Sequence, residues 1–359
     1  MAITAGMTPE DVEALAREVL PAAAYDYYAS GADDEHTLDD NAAAWQRIRL
    51  LPHVLRDVAK VSTAATVLGT EVSAPIMVAP TAYQKLAHND GEAATAAGAA
   101  AFGTIMVAST FSNTTMEDIA SAAPDASRWF QLYVHDDRGL TAELVQRAVA
   151  ADYRAIVLTV DLPVLGYRRR DERNNFALPA GVVKANLGDD PAAADHPTVG
   201  SALRAYADHA VDAGLTFADI EWLRELSELP VVIKGVLRGD DAAGCVSAGA
   251  DAIIVSNHGG RQLDTAVATA DALAGVVRAV GDRAEVYVDG GIRRGTDVVK
   301  ALALGARAVL VGRPVLWGLA VDGSNGVHAV LENYRIELER AMALCGAASI
   351  TDLRADLLI

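Results

Sequence analysis

An α/β fold, a TIM (β/α)8 barrel with an N-terminal helical segment and a long loop after strand 4, follows from three features of the 359-residue sequence. From residue 74 onward, short apolar runs alternate with stretches of helical periodicity, and the unit recurs eight times. The apolar runs are continuous, as strands buried on both faces of a parallel sheet are. Eight such units over about 250 residues are the usual extent of a barrel. A doubly wound sheet shares the alternation and is the rival architecture.

Residues 1–73 read as a helical segment packed on the barrel, with the barrel itself over 74–359 in a single domain. TPEDVEALAREVL is helical in period, with Thr8 as N-cap and Pro9 in the first turn. The strands are APIMVAP (74–80), TIMVAS (104–109), RWFQLYV (128–134), AIVLTVD (155–161), PVVIKGV (230–236), AIIVSNH (252–258), EVYVDGG (285–291) and AVLVGRP (308–314). Helical patterns follow each; Thr115 is a plausible N-cap for TMEDIASAA. Residues 175–216 carry no strand signal and are rich in Asp, Ala, Pro and Gly, as a lid or insert is.

The net charge of −18 argues against a nucleic-acid or anionic-membrane partner, since both need a basic face. It leaves room for a small anionic substrate held by local arginines. Two cysteines with no CxxC fit a reducing cytoplasm. The N-terminus lacks a signal-peptide pattern, no apolar run reaches transmembrane length, and the end DLRADLLI is no peroxisomal address. The sequon at Asn113 is therefore expected to be unused, and no metal site is expected.

In a barrel, chemistry sits at the C-terminal ends of the strands. Those ends carry Thr81 and Ala82, Ser109, Gln131 with Tyr133, Thr159 with Asp161, Lys234, Ser256 with His258, Asp289 with Gly291, and Gly312 with Arg313. Any one of them has an ordinary reading as a turn former. Lys234 is harder to dismiss, because a lysine emerging from PVVI needs an anionic or polar partner. DGGIRRG and VGRP place glycines, Arg293 and Arg313 after strands 7 and 8, where barrels commonly hold a phosphate. Neither GxGxxG after a strand nor a Walker A sequence is present, so the phosphate belongs to a barrel-bound cofactor.

SNHGGRQLD (256–264) supplies a base, His258, and a fixed cation, Arg261. Asp161, ending strand 4, faces the same mouth and would orient the imidazole and stabilise its protonated form. Arg261 and Arg168 suit a carboxylate. Singly, each is a core histidine or a solvated arginine; together they describe oxidation next to a carboxylate.

YDYYASGADDE, APTAYQKLAH, WFQLYV, LTVDLP, VVIKGV, SNHGGRQLD, DGGIRRGTDVVKALALGA and VGRPV occur in this order. The chain thereby resembles the FMN-dependent 2-hydroxy acid oxidase and dehydrogenase family from about Tyr25 to about Leu344. The resemblance implies FMN as cofactor, a 2-hydroxy acid and O2 as small-molecule partners, and a homotetramer or octamer. It implies His258 as base and Asp161 as its stabiliser. Arg261 and Tyr27 would bind the substrate carboxylate, with Arg168 assisting. Tyr133 would bond the hydroxyl, and Lys234 would sit at the flavin pyrimidine edge. Thr81, Ala82, Ser109, Gln131, Thr159 and Ser256 would contact the ring and ribityl groups. Asp289, Gly291, Arg293, Gly312 and Arg313 would hold the ribityl and phosphate end.

The expected reaction is oxidation of an L-2-hydroxy acid to the 2-oxo acid with peroxide formed from O2. Alternatives are a lactate 2-monooxygenase outcome, electron transfer to a quinone or redox protein, or a flavin-binding protein without catalysis. Whether electrons leave as hydride or after a carbanion is open. Phe111 stands where glycolate oxidases have Trp, which favours a substrate larger than glycolate, although Phe111 also reads as a packing residue. Ala82 stands where a mandelate dehydrogenase has Gly, which favours direct reaction with oxygen.

Overall fold

The computed structural model describes residues 2–188 and 211–359. The chain opens with α1 (Pro9–Val19), α2 (Ala22–Ala29) and α3 (His36–Arg47). The Thr8 hydroxyl accepts from Asp11 N–H, and the Asp11 carboxylate accepts from Thr8 N–H, so α1 starts on a complete capping box. A hairpin follows, β1 (Ala65–Val67) against β2 (Thr70–Val72), which sequence patterning had not marked. Val67 and Val72 pack on the apolar interior of the barrel at the end opposite the strand C-termini.

Eight parallel strands close the barrel: β3 (Ile76–Val78), β4 (Met106–Ala108), β5 (Arg128–Leu132), β6 (Ile156–Thr159), β7 (Val231–Val236), β8 (Ala252–Val255), β9 (Glu285–Val288) and β10 (Ala308–Val311), with β10 pairing β3. Every predicted strand is present; Gln131, Thr159 and Lys234 lie within strands, and the other polar residues of the mouth follow the strand ends. Side chains alternate across the sheet. Met77, Val107, Trp129, Val157, Val232, Ile254, Tyr287 and Leu310 fill the interior. Ile76, Phe130, Ile233 and Val309 face the helices. Burying each such aliphatic chain contributes about 1.5–3 kcal/mol.

The surrounding helices are α4 (Gly91–Phe102), α5 (Met116–Ala122), α6 (Arg138–Ala150), short α7 (Arg169–Arg173), α8 (Ala218–Leu226), α9 (Gly239–Ser247), α10 (Thr269–Val280), α11 (Gly295–Ala303) and α12 (Arg313–Cys345). Thr115 caps α5 through Asp118 N–H, as its position in the sequence requires. α12 is broken at Asp322 and Gly323, where the backbone leaves helical geometry. Side chains of α1–α3 share the outer apolar core with the barrel helices. Of the loop expected over 175–216, residues 189–210 lie outside the described residues. No described helix is long and apolar enough to cross a membrane.

Candidate active site

All eight strand ends open into one cavity of about 1140 Å3, counted out to its mouth, with α2 contributing Tyr27 and Tyr28. Among the residues singled out from sequence, seventeen line it: Tyr27, Thr81, Ala82, Ser109, Phe111, Gln131, Tyr133, Thr159, Arg168, Lys234, His258, Arg261, Asp289, Gly291, Arg293, Gly312 and Arg313. Asp161 and Ser256 stand behind that lining.

The SNHGGRQLD segment explains itself residue by residue. His258, Gly259 and Gly260 have φ of +57°, +64° and +75°. A non-glycine residue in that region costs about 1–3 kcal/mol, so His258 must be held there. Its N–H donates to Ser256 Oγ at 3.1 Å. Asn257 and Asn41 of α3 exchange two amide hydrogen bonds, at 2.9 and 2.8 Å. A Cβ on Gly260 would lie 2.6 Å from Leu38 N, so only glycine lets α3 approach. Asp264 accepts from the N–H groups of Asp34 and Thr37, anchoring the far end of the loop on α3.

His258 Nδ1 lies 2.8 Å from Asp161 Oδ1. Burial opposes ionisation of Asp161, but the charges of His258 and Lys234 outweigh it and hold the carboxyl below its ordinary value. Burial also lowers the His258 value, and Asp161 offsets only part of that. The resting pair is a neutral imidazole beside a carboxylate. Its hydrogen bond occupies Nδ1 and leaves Nε2 as the ring's free acceptor.

Lys234 is 4% exposed. Burial pushes its value down, yet Asp289 and Asp161 outweigh that, so it stays a cation. Nζ donates to Ser256 Oγ at 3.0 Å and lies 3.4 Å from Asp289 Oδ2. Ser256 Oγ thus accepts from both Lys234 and His258 N–H and helps orient the two. Gln131 links its neighbours into one polar wall: Oε1 accepts from Ser109 Oγ at 3.2 Å, and Nε2 donates to Thr159 Oγ1 at 3.1 Å.

Two further cations line the same cavity. Arg261 donates to Ser30 O at 2.7 Å, and its guanidinium sits 5.2 Å from the centre of the Tyr27 ring. Burial and the nearby Arg168 charge bring Arg261 down to about 10, still a cation at neutral pH. Arg168 Nε is buried without a hydrogen-bond partner among the described residues. Tyr133 stacks on Phe111 at 5.0 Å, and burial raises its phenol so that it remains a donor.

Sequence reading missed Leu162 and Leu165, which line the cavity from the loop after β6, because a loop leucine reads as core. It also missed Asp171, whose two buried carboxylate oxygens accept no hydrogen bond among the described residues. Burial raises its value, and the Arg261 and Arg168 charges act against that. The only sequence signal was an acid beside the arginines of GYRRRD.

The fourth side is glycine and arginine. Gly290 and Gly291 have φ of +90° and +76°, and a Cβ on Gly291 would meet Asn41 O at 2.0 Å. Gly312 caps α12, so that helix N-terminus, Arg293 and Arg313 share one end of the cavity. Arg313 donates to Tyr28 O (2.8 Å), Gly259 O (3.0 Å) and Ser30 O (2.9 Å). A guanidinium has five N–H groups, so two remain for an anion.

The residues present fit FMN. A helix N-terminus with two arginines matches a phosphate dianion. Asp289 Oδ1, buried and without a partner among the described residues, matches a ribityl hydroxyl donor. Lys234 and the Ser109–Gln131–Thr159 wall match the polar edge of a flat ring. The cavity is concave and mixes apolar lining with a few convergent polar groups, as small-molecule sites do.

Comparison with known proteins agrees. The chain is 51% identical over 356 residues to an L-lactate oxidase of Nostoc sp., covering 98% of each chain. It is 47% identical over 353 residues to 2-hydroxyacid oxidase 1 of Homo sapiens, covering 95% of this chain and 93% of that one. A crystal structure of mandelate oxidase with (S)-4-hydroxymandelic acid superposes with a TM-score of 0.93 at 43% identity, covering 98% of each chain. The family model for FMN-dependent dehydrogenases matches residues 16–359, and with these relatives it makes the chain a member of the FMN-dependent dehydrogenase family.

Proposed function

We propose that the chain oxidises L-2-hydroxy acids to 2-oxo acids, with O2 as electron acceptor and hydrogen peroxide as second product. The observation that carries this is the His258–Asp161 pair, 2.8 Å apart, with His258 lining the same flavin-suited cavity as Arg168 and Arg261. Oxidase names among the relatives support O2 as acceptor.

FMN, when bound, supplies the electron-accepting ring. Arg261 and Arg168, with Tyr27, bind the substrate carboxylate and fix which face of the α-carbon is presented; such alignment removes much of the entropic barrier. His258 Nε2 takes the proton, and Asp161 stabilises the imidazolium that results. Tyr133 donates to the substrate oxygen. Leu162 and Leu165 keep water from the cationic clamp. Lys234 holds positive charge at the ring edge, oriented by Ser256. Thr81, Ala82, Ser109, Gln131 and Thr159 cradle the ring and ribityl chain. Asp289, Gly291, Arg293, Gly312 and Arg313 hold the ribityl and phosphate end.

Phe111 selects the substrate side chain, favouring lactate, mandelate-type or medium-chain acids over glycolate. The reading also includes a cytoplasmic single-domain chain divided at residue 73, no nucleic-acid or membrane partner, and assembly as a homotetramer or octamer.

The test is oxygen uptake and peroxide yield with glycolate, L-lactate, (S)-mandelate and medium-chain 2-hydroxy acids. One peroxide per acid consumed is expected. Full turnover with near-zero peroxide would instead assign a monooxygenase outcome or another electron acceptor.

A further inference from the structure

The catalytic pair spans a gap that the sheet does not bridge. Asp161 follows β6 and His258 follows β8, with β7 between them. No ladder hydrogen bond therefore sets the position of one against the other. The two meet above Gly235, at the irregularity of β7, where φ is +110°. A Cβ there would lie 2.6 Å from Asp161 Cβ.

Gln262 crosses the same gap. Its Nε2 donates to Asp161 O at 2.8 Å and to Val164 O at 3.0 Å. Its Oε1 accepts from Gly166 N–H at 3.2 Å. Both N–H groups and the carbonyl of one side chain are thus spent on the backbone of the 161–166 loop. The two loops touch directly beside it: a Cβ on Gly166 would lie 2.3 Å from Arg261 O and 2.6 Å from Gln262 O. The result is a closed circuit. The His258 side chain holds the Asp161 carboxylate, and four residues further along the same loop Gln262 holds the Asp161 carbonyl. Gln262 does not line the cavity.

We propose that Gln262 is a positioning residue whose amide joins the Asp161 loop to the His258 loop and so sets the geometry of the base. The proposal rests on the assignment of His258 as that base. Because a misplacement of about 1 Å costs on the order of a hundredfold in rate, a slackened joint acts on kcat before it acts on binding.

The experiment uses the FMN-loaded enzyme with Gln262→Leu, Gln262→Glu and, as an independent disturbance of the same joint, Gly166→Ala. Gln262→Glu keeps size and acceptor but loses both donors. Flavin content, thermal midpoint, kcat, KM and the titration of the His258 ring protons by NMR are measured. The ring signal is assigned by its loss in His258→Asn.

The charged groups facing His258 are Asp161 from the β6 loop, Lys234 from β7 and Arg168 at the start of α7, with Arg261 and Asp289 on the same cavity. Only the first of these is held by Gln262. All three variants are expected to keep wild-type flavin content, lose kcat by about ten- to hundredfold with KM changed less than about threefold, and titrate His258 at lower pH. An unchanged kcat and titration in Gln262→Leu overturns the proposal. A fall in flavin content or thermal midpoint with an unmoved titration overturns it too, by assigning a merely structural role. The NMR readout needs no turnover. If the wild type leaves every hydroxy acid unoxidised while the titration still shifts, the functional reading fails and the joint stands.

Discussion

His258 Nδ1 and Asp161 Oδ1 are 2.8 Å apart although 97 residues separate them in the chain. The base must be neutral to accept a proton, and burial holds His258 below its ordinary value. The active form is therefore already present at neutral pH and is lost as pH falls through a value below about 6.5. Asp161 raises the His258 value, so Asp161→Asn moves this acid limb of kcat/KM to still lower pH. It also lowers the plateau by about 10²–10⁴-fold, the usual worth of such assistance. A pH–rate profile checks both; a limb that moves upward contradicts the assignment.

Arg261→Lys tests the carboxylate clamp. Lysine keeps the charge but loses the planar fork and the bond to Ser30 O that aims it. An increase in KM of about 10- to 150-fold is expected, the worth of charge-assisted hydrogen bonds of about 1.5–3 kcal/mol. Steady-state kinetics with retained flavin content is the measurement.

Phe111 is stacked between Tyr133 at 5.0 Å and Tyr83 at 6.2 Å, with little slack on either side. Phe111→Trp is expected to overpack that stack, lose about 1–3 kcal/mol of stability, and shift preference from mandelate toward glycolate. Ratios of kcat/KM across the acid panel report the shift, and thermal unfolding reports the packing cost.

Gly291→Ala places a Cβ 2.0 Å from Asn41 O at φ +76°. Backbone strain alone costs about 1–3 kcal/mol, and the turn at the phosphate end must open. Purified variant protein is expected to be less stable and depleted of FMN, which absorbance of the bound flavin and thermal unfolding measure.

Much of this was legible in the sequence for local reasons. β-branched, uninterrupted runs such as AIIV identify strands without their neighbours, and Thr8 and Thr115 cap helices within their own first turn. Residues at strand ends converge because a closed parallel barrel allows them nowhere else. What escaped depended on distant contacts. The hairpin of β1 and β2 has three-residue strands, ATV and TEV, that are only partly buried and so lack the uninterrupted apolar run that marks the equally short β3 and β4. Ser256 has the expected place in the chain, but Lys234 and His258 N–H claim its oxygen. Three donors of Arg313, expected on a phosphate, are drawn to carbonyls at the end of α2 and in the His258 loop. Asp171 in GYRRRD and Gln262 in SNHGGRQLD sit within marked motifs, but their partners show only once the loops after β6 and β8 are brought together.

The most direct measurement is anaerobic mixing of L-lactate or (S)-mandelate with the wild-type enzyme and with His258→Ala, following the colour of the bound flavin. The account predicts rapid bleaching of the wild type, and a variant that keeps its colour and bleaches at least about a hundredfold more slowly. Bleaching of the variant at the wild-type rate would contradict the role of His258 as base.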